Sequence, residues 1–352
     1  MYGPQTPDPT APAVRINLYS DTQTKPTPAM RAVMAAAEVG DEQLGLDPTV
    51  NALCARVAGL LGKEAAIFLP SGAMCNSVAI LTHCRPGDEI IAHESSHIID
   101  AEGGAPWALA GARVLGLTGA GGQFLPRDIE AVLRGGSRYD PPQTLMVVEQ
   151  TANQGGGTIW PLEQIRAVCA TAHEAGLATH MDGARLFNAA VASGVAAADY
   201  AALFDSVWVD FTKGLGAPLG AVLAGSADFI DRAWRWKQRL GGSLRQAGFA
   251  AAGCLYALDH HIERLVDDHE HAAYLAGELA KLPGLKVAAP QTNLVYVDVA
   301  GSGHKAGFMA DRLRAQGIMV SVMGARLRLC THLDVSAADI TETIAAFGAL
   351  LG

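Results

Sequence analysis

Short apolar segments alternate with amphipathic segments over the first two thirds of the chain. The amphipathic segments, of which residues 162–175 are an example, are typical of helices. Segments that are apolar throughout are typical of strands in a parallel sheet that is buried on both faces. The pattern therefore predicts an α/β domain, residues 15–253, with a large, doubly wound and mostly parallel sheet. Its predicted strands are residues 65–69, 88–92, 112–117, 144–149, 177–182, 206–211 and 220–224.

The pattern changes after residue 248. One long helix is predicted over residues 249–281, with a solvated polar face at 267–271. The strands and helices predicted beyond it are segregated along the chain, which is typical of an α+β domain. We therefore expect a small C-terminal α+β domain, residues 254–352. Its other predicted elements are strands at 285–287, 293–299, 318–321 and 326–330 and a helix at 305–316.

Composition narrows the class of protein. Half of the 352 residues are hydrophobic, 17% are charged, and the formal net charge is −9. This balance excludes a disordered chain and leaves no basic surface for nucleic acid or a membrane. The six cysteines are scattered, the N-terminus has no signal-peptide pattern, and no run of about 18 residues is apolar. We therefore expect a cytoplasmic protein with reduced thiols, whose proline-rich residues 1–14 form a flexible tail.

An acid and a lysine follow two predicted strands. Asp182 ends the strand at 177–182, and Lys213 follows the strand at 206–211. Because the carboxyl ends of parallel strands meet at one edge of the sheet, both side chains can face one ligand. A lysine there can form a Schiff base with an aldehyde, and a carboxylate can keep a pyridine nitrogen protonated, as pyridoxal phosphate requires. The alternative is an aspartate that caps a helix and an unrelated surface lysine.

Small residues open the helix predicted after the strand at 65–69. Backbone N–H groups at Ser71, Gly72 and Ala73 and the positive end of the helix dipole would suit a phosphate. Ser-Gly helix caps are common, so the segment is also consistent with an ordinary helix start. The chain has no strand followed by G-x-G-x-x-G with an acid about 20 residues on, and no G-x-x-x-x-G-K-[ST], which disfavours dinucleotides and nucleoside triphosphates.

His97 follows the strand predicted at 88–92 and would reach the same edge of the sheet. An imidazole there can stack on a flat cofactor ring or act as a base. His93 lies four residues earlier, and on a helix this spacing would also suit a metal. Since the segment is typical of a strand that leads into a loop, we predict no metal and favour stacking, with a structural role for His97 as the alternative.

Three arginines lie in apolar or glycine-rich surroundings, namely Arg185, Arg245 and Arg328. A guanidinium group binds carboxylate or phosphate through two parallel hydrogen bonds, so each arginine is a candidate ligand for an anion. Taken individually, each is equally consistent with a structural ion pair.

Ten segments that span nearly all of residues 15–350 carry a resemblance to a known family, namely residues 18–27, 40–49, 62–66, 70–74, 96–98, 180–189, 212–220, 240–248, 292–293 and 328–332. In these segments and their order, the chain resembles the L-threonine aldolases of low specificity. These belong to the pyridoxal-phosphate-dependent β-eliminating lyase group, which has the aspartate aminotransferase-like fold, or fold type I. The resemblance implies cleavage of L-threonine, L-allo-threonine or a bulkier L-β-hydroxy-α-amino acid to glycine and an aldehyde. The alternatives are β-elimination or racemisation on the same scaffold, and non-catalytic binding of the cofactor or an amino acid.

The resemblance also implies a role for each candidate residue. Lys213 forms the Schiff base, Asp182 binds the pyridine nitrogen and His97 stacks on the ring. The protein is implied to be a homo-oligomer, a dimer of dimers, in which each active site is shared between subunits. The implied phosphate ligands are Ser71, Gly72, Ala73 and, from a neighbouring subunit, Arg245; the implied ligands of the substrate carboxylate are Ser20, Arg185 and Arg328.

Two positions depart from the family pattern. Residues 149–153 read Glu-Gln-Thr-Ala-Asn where the family commonly has Glu-Asn-Thr-His-Asn, so Ala152 replaces a histidine that often touches the substrate hydroxyl. Leu44 stands where a tyrosine is common. Both changes remove polar groups from the side expected to bind the β-substituent. We therefore expect weak discrimination between threo and erythro substrates and good activity on bulky side chains such as that of phenylserine.

Overall fold

The computed structural model describes residues 12–352 and divides into two compact units. The large unit consists of residues 26–262, and the small unit consists of residues 12–25 and 263–352. Within the described residues, the strands are β1 (Ile16–Asn17), β2 (Ala65–Leu69), β3 (Glu89–His93), β4 (Arg113–Leu117), β5 (Gln143–Glu149), β6 (Ala178–Gly183), β7 (Ser206–Asp210), β8 (Ala221–Gly225), β9 (Lys286–Val287), β10 (Leu294–Asp298), β11 (Ile318–Met319), β12 (Ser321–Met323) and β13 (Arg326–Cys330).

The α-helices in the same range are α1 (Pro28–Ala35), α2 (Pro48–Leu61), α3 (Gly72–His83), α4 (His97–Asp100), α5 (Ala105–Ala110), α6 (Pro126–Glu130), α7 (Leu162–Glu174), α8 (Leu186–Ser193), α9 (Ala197–Ala201), α10 (Ala227–Arg239), α11 (Gly248–His260), α12 (Leu265–Leu279), α13 (Ala306–Ala315) and α14 (Ala337–Leu351). Short 3₁₀ helices occur at Asp21–Gln23, Glu42–Leu44, Ala120–Gly122 and Ala300–Ser302. The seven strands predicted for the large domain begin and end within one residue of β2 to β8.

The large unit contains a seven-stranded sheet with the strand order β2-β8-β7-β6-β5-β3-β4. Strand β8 is antiparallel to both of its neighbours, and the other adjacent strands are parallel. The prediction of a mostly parallel α/β sheet is confirmed. Strand β8 is reversed because residues 211–220, which connect it to β7, are fewer than the dozen or more that a parallel crossover needs.

Helix α3 is packed between two apolar clusters. Cys75, Val78 and Ala79 join a cluster with strands β2, β7 and β8 and helix α10. Ile80 and Leu81 join a second cluster with strands β3 and β5. Close packing on both sides fixes the position of this helix, and therefore of its first residues, at the edge of the sheet.

The small unit has an antiparallel sheet with the order β12-β13-β10-β9 and a parallel pair formed by β1 and β11. Helices α12, α13 and α14 share its apolar core with these strands. Leu18 extends the pairing beyond β1, because its N–H donates to the Met319 carbonyl at 2.8 Å and its carbonyl accepts from the Cys330 N–H at 2.9 Å. The unit therefore has the α+β character that the sequence predicts.

The two units differ from the predicted domains at both ends. The sequence places residues 15–25 in the large domain, but they belong to the small unit because β1 pairs with β11. The single helix predicted over residues 249–281 is two helices, α11 and α12, and the predicted boundary at residue 253 lies inside α11. Between these helices the ring of His261 bonds to the Leu215 carbonyl at 2.7 Å. Most of the predicted tail, residues 1–14, lies outside the described residues.

The six cysteines carry free thiols, and all but Cys54 are buried. Burial raises the pKa of the Cys84 thiol to about 11 and that of Cys169 to about 12, so both stay protonated at neutral pH. In the described part of the chain, no helix combines the length and the apolarity that crossing a membrane requires.

Candidate active site

Four segments that carry predicted site residues reach one edge of the large sheet. Strands β2, β3, β6 and β7 run in the same direction, so their carboxyl ends share this edge. Helix α3 begins at Gly72 after β2, and His97 begins α4 after β3. Asp182 lies at the end of β6, and Lys213 follows β7. The strand directions thus bring the predicted acid, lysine, histidine and helix start to the edge of the sheet at which the strands have their carboxyl ends.

Asp182 is a buried acceptor held by two hydrogen bonds. The residue is only 2% exposed, so its side chain is buried at the edge of the sheet. Its Oδ1 accepts from the backbone N–H of Ala184 at 3.0 Å, and its Oδ2 accepts from Nδ2 of Asn76 at 2.8 Å. Asp182 can therefore offer a fixed negative charge to a bound cation such as a protonated pyridine.

His97 is oriented by two carboxylates. Its Nδ1 bonds to Oε1 of Glu102 at 2.8 Å, and its backbone N–H donates to Oε2 of Glu149 at 2.8 Å. Burial lowers the pKa of His97, but the Glu102 bond and the charges of Asp182, Glu102 and Glu149 raise it more, so that the pKa lies above 6.5. The sequence predicts a loop here, whereas the structure has the short helix α4, whose first residue is His97.

The two carboxyl groups beside His97 both have raised pKa values. Glu149 is 8% exposed, and burial together with the charge of Asp182 raises its pKa to about 7. Burial also raises the pKa of Glu102, against the bonds from His97 and Asn76. Shifted carboxyl groups of this kind are concentrated at functional sites.

His97, Glu102 and Asp182 offer donor atoms within 4.8 Å of one another, a spacing that a metal ion can use. Asn76 Nδ2 lies between the two carboxylates, donating to Glu102 Oε1 at 2.6 Å and to Asp182 Oδ2 at 2.8 Å. These bonds from the amide, together with the bond between His97 and Glu102, join the side chains of the cluster to one another.

Lys213 and the start of α3 meet around one indole ring. The Lys213 ammonium bonds to Asp210 and lies 5.6 Å from the centre of the Trp208 ring. A Cβ added at Gly72 would lie 2.2 Å from Cη2 of the same ring, so only glycine allows this approach. Ser71 caps the helix, with Oγ accepting from the Met74 N–H at 3.3 Å. The N–H groups of Gly72 and Ala73 have no partner within α3, and this start of the helix lies against the same indole ring as Lys213.

The remaining predicted ligands fall into three places. Arg185 is 5% exposed and directly precedes α8 in the large unit. Arg245, also in the large unit, is at the surface and pairs with Asp41 at 2.9 Å. Ser20 and Arg328 lie close together in the small unit, since the Arg328 guanidinium donates to the carbonyl of Tyr19 at 3.2 Å. Both Ser20 and Arg328 are buried.

Several site residues lie outside the sequence prediction. The sequence predicts a helix at Asn76 and a strand at Trp208, but it does not assign either residue to the site. A single amide in a helix as apolar as α3 is the one signal that could have identified Asn76. Glu102 lies in a glycine-rich segment and carries no such signal.

The residues present fit pyridoxal phosphate. The buried Asp182 carboxylate suits a protonated pyridine, and the amine of Lys213 suits an aldehyde. Ser71 and Ala73 are exposed at the start of α3, where backbone N–H groups suit a phosphate. The His97 ring, with its side chain 41% exposed, is accessible for stacking on a flat ring.

Comparison with known proteins agrees with the resemblance seen in the sequence. A model of the β-eliminating lyase family matches residues 17–302. The chain is 38% identical to the low specificity L-threonine aldolase of Escherichia coli (strain K12) over 337 residues, which cover 96% of this chain and 99% of that protein.

Solved structures share the fold. A threonine aldolase from Leishmania major has a TM-score of 0.83 at 21% identity, and the match covers 96% of this chain and 100% of that one. A structure of SPT with a PLP internal aldimine has a TM-score of 0.72 at 18% identity, covering 95% of this chain and 86% of that one. These similarities confirm the predicted fold type I. Together with the family match, they lead to the conclusion that the chain is a member of the β-eliminating lyase family.

Proposed function

We propose that this protein is a pyridoxal-phosphate-dependent aldehyde-lyase that cleaves L-threonine, L-allo-threonine or a bulkier L-β-hydroxy-α-amino acid to glycine and an aldehyde. The observation that carries the proposal is the convergence of Asp182, Lys213, His97 and the start of α3 at one edge of the sheet. The similarity to the Escherichia coli low specificity L-threonine aldolase supports the substrate class.

Lys213 and Asp182 hold the two ends of the cofactor ring in this proposal. When bound, pyridoxal phosphate supplies an electron-accepting ring that stabilises negative charge at the substrate Cα. Lys213 binds the aldehyde carbon, and Asp210 and Trp208 hold its amine in place beforehand. Asp182 keeps the pyridine nitrogen protonated, and its two hydrogen bonds prevent the carboxylate from turning away.

His97 has two tasks in the proposal. Its bond to Glu102 fixes the plane of the imidazole, so that one face can stack on the cofactor. With Nδ1 engaged, Nε2 is the atom that takes the proton from the substrate β-hydroxyl, either directly or through a water molecule. The raised pKa of His97 means that this step requires a pH high enough to leave the ring neutral.

Arg185 and Arg328 are assigned to the substrate carboxylate, with Ser20. A buried guanidinium offers a planar pair of donors that match the two carboxylate oxygens. Both arginines are buried, at 5% and 2% exposure, which limits their motion and favours a fixed orientation of the amino acid.

Analysis of the products tests the reaction. Purified protein loaded with pyridoxal phosphate is incubated with L-threonine, L-allo-threonine and the two L-phenylserine diastereomers, and glycine and aldehyde are measured together. Equal amounts of glycine and aldehyde are the expected result. A keto acid with ammonia would instead indicate β-elimination, an inverted amino acid would indicate racemisation, and cofactor binding without any product would indicate a non-catalytic binder.

The proposal includes a homo-oligomer, a dimer of dimers, in a cytoplasmic location that the scattered cysteines support. Exposed apolar side chains at Leu44, Leu46 and Phe249 lie on segments joined by hydrogen bonds such as that from the Gly248 N–H to Asp47. A surface of this kind favours burial against a second copy. Arg245 lies on the same pair of segments, which supports its assignment to the phosphate of a neighbouring subunit.

Mixed oligomers test the shared site. Subunits carrying Lys213→Ala are mixed with subunits carrying Arg245→Ala and allowed to exchange. If one site uses the lysine of one subunit and the arginine of another, about a quarter of the sites regain both residues and activity returns. If both residues come from the same subunit, the mixture stays as inactive as its parts.

A further inference from the structure

A line of buried hydrogen bonds leads away from Asp182 through helix α3. Asn76 is its first member, with Nδ2 donating to Asp182 Oδ2 at 2.8 Å. The Asn76 Oδ1 accepts from Nε1 of Trp208 at 2.7 Å. Because an indole N–H can only donate, the Asn76 amide has one orientation, with its oxygen toward Trp208 and its nitrogen toward Asp182.

This orientation fixes the protons further along the line. His180 Nε2 lies 3.3 Å from Asn76 Oδ1, so Nε2 carries the hydrogen and donates it. In a neutral imidazole Nδ1 is then an acceptor, and the Ser206 hydroxyl donates to it at 2.8 Å. The Ser206 oxygen in turn accepts from His83 Nε2 at 2.8 Å. Every donor in the line therefore points toward the Asp182 end.

Burial keeps both histidines of the line uncharged. It lowers the pKa of His180 to about 3, and His83 lowers it further by its proximity. Burial also lowers the pKa of His83 to about 4, with Asp205 acting against this shift and Arg232 in its favour. The line therefore brings no additional charge to Asp182, and what it can contribute is the direction of its hydrogen bonds.

We infer that His180 and Ser206 are positioning residues that act through Asn76 to hold the Asp182 carboxylate toward the cofactor ring. The inference rests on the proposed role of Asp182. Without the His180 donor, the Asn76 oxygen keeps one side-chain partner, Trp208, in place of two. The amide nitrogen is still shared between Glu102 and Asp182, so a small rotation toward Glu102 becomes easier. Rotation carries Nδ2 away from Asp182 and leaves the carboxylate held mainly by the Ala184 N–H.

Two matched substitutions separate the donated hydrogen from the bulk of the imidazole. In His180→Gln the amide nitrogen takes the place of Nε2 and still reaches Asn76, whereas in His180→Asn it takes the place of Nδ1 and does not. Since one hydrogen bond is at stake, we expect His180→Asn to lower kcat about tenfold with KM nearly unchanged. His180→Gln should keep kcat close to that of the unsubstituted enzyme.

Spectroscopy adds readouts that a general structural role would not change. With ¹⁵N-labelled pyridoxal phosphate bound, the pyridine nitrogen signal should move toward its unprotonated position in His180→Asn and not in His180→Gln. In the unsubstituted apoprotein, ¹⁵N NMR of labelled histidine should show His83 and His180 as Nε2–H tautomers at neutral pH. This last measurement needs neither catalysis nor a variant.

The outcomes distinguish this inference from the proposed function. An Nδ1–H tautomer for His180, or equal kcat values for the two His180 variants, overturns the inference. If His180→Asn does not fold, Ser206→Ala takes its place, and an unchanged kcat in that variant overturns the inference as well. A protein that shows the expected tautomers but releases no glycine from any β-hydroxy amino acid contradicts the proposed function alone.

Discussion

Gly72 lies directly against the indole of Trp208. A Cβ at position 72 would come within 2.2 Å of Cη2 of that ring. The Nε1 atom of the same indole donates to Asn76, and the Lys213 ammonium lies 5.6 Å from the ring centre. The Trp208 indole therefore packs against the start of α3, donates a hydrogen bond to the amide that holds Asp182 and lies near the Lys213 ammonium.

Gly72→Ala should weaken cofactor binding. The added methyl group must displace either the Trp208 ring or the helix start, and overpacking of this kind costs about 1–3 kcal/mol. We expect the Kd of the apoprotein for pyridoxal phosphate to rise about 5- to 150-fold. Gly59→Ala is the matched control, since position 59 lies in α2 with no other atom within 4 Å of an added Cβ. If the two variants have equal Kd values, Gly72 is not part of the cofactor site.

Lys213 should carry the cofactor covalently. A Schiff base to pyridoxal phosphate is a conjugated chromophore, so the purified protein should be yellow. Borohydride reduction followed by peptide mapping is expected to find the pyridoxyl group on Lys213, and Lys213→Ala should lose both the colour and the label. Lys237, which is buried and paired with Glu42, serves as the internal comparison. A label on Lys237 or on any other lysine would refute the assignment.

Arg185→Lys and Arg328→Lys should each raise KM. An ammonium cannot reproduce the planar two-bond fork of a guanidinium on a carboxylate. The loss of one charge-assisted bond costs about 1.5–3 kcal/mol, which corresponds to an increase in KM of about 10- to 150-fold. Steady-state kinetics on the most active substrate measures the change. An arginine whose replacement leaves KM unchanged has a structural role.

Ala152→His should increase discrimination at the substrate Cβ. Ala152 is 4% exposed and lines a small cavity together with Glu149 and Trp160. An imidazole there would give the β-hydroxyl a directional partner, worth about 2- to 13-fold in the ratio of kcat/KM for the two diastereomers. A Cβ at Gly122 would lie 2.8 Å from the Ala152 methyl, so the larger side chain should also lower Tm. A lower Tm with an unchanged ratio would assign position 152 to packing.

The apoprotein should lose stability as the pH falls from about 6.5 to about 4. His83 and His180 have lowered pKa values, so in this range the unfolded chain binds protons that the folded chain does not. Each such group lowers the free energy of unfolding by about 1.4 kcal/mol per pH unit. The raised pKa of Glu149 gives a slope of opposite sign between about 4.5 and 7, so the informative quantity is the difference between a variant and the unsubstituted protein.

Urea unfolding of the apoprotein at pH 7 and pH 5 measures this difference. His83→Gln removes one of the two groups, so we expect the free energy of unfolding to fall less steeply with pH, by about 1.4 kcal/mol per pH unit below pH 6.5. His260→Gln, at an exposed position of α11, is the control. If His83→Gln and His260→Gln lose the same amount of stability between pH 7 and pH 5, His83 does not titrate as its burial requires.

The strands of the large sheet could be predicted because each is an apolar segment ended by polar or glycine residues. The common edge of Asp182 and Lys213 followed from the direction of those strands. Asn76 could not be assigned to the site in the same way, because its partners Asp182 and Trp208 lie 106 and 132 residues away in sequence. A pattern read over neighbouring residues carries no information on contacts of that separation.

The small unit was harder to predict for a related physical reason. Strand β1 contains two residues, too few for any alternation of polar and apolar positions, and it is defined by its pairing with β11. The break between α11 and α12 has neither glycine nor proline at residues 261–264. Tertiary contacts such as that of His261 with the Leu215 carbonyl decide where α11 ends, and local propensity does not.

The parallel pairing of β1 with β11 also affects how the chain folds during synthesis. All residues of the large unit are contiguous, so they have left the ribosome before the small unit can form. Ile16 and Leu18, which are fully buried in the finished core, must wait until about 300 further residues have been translated before strand β11 exists. Over that interval the nascent chain carries this apolar segment without its strand partner, which leaves the segment open to association with other chains.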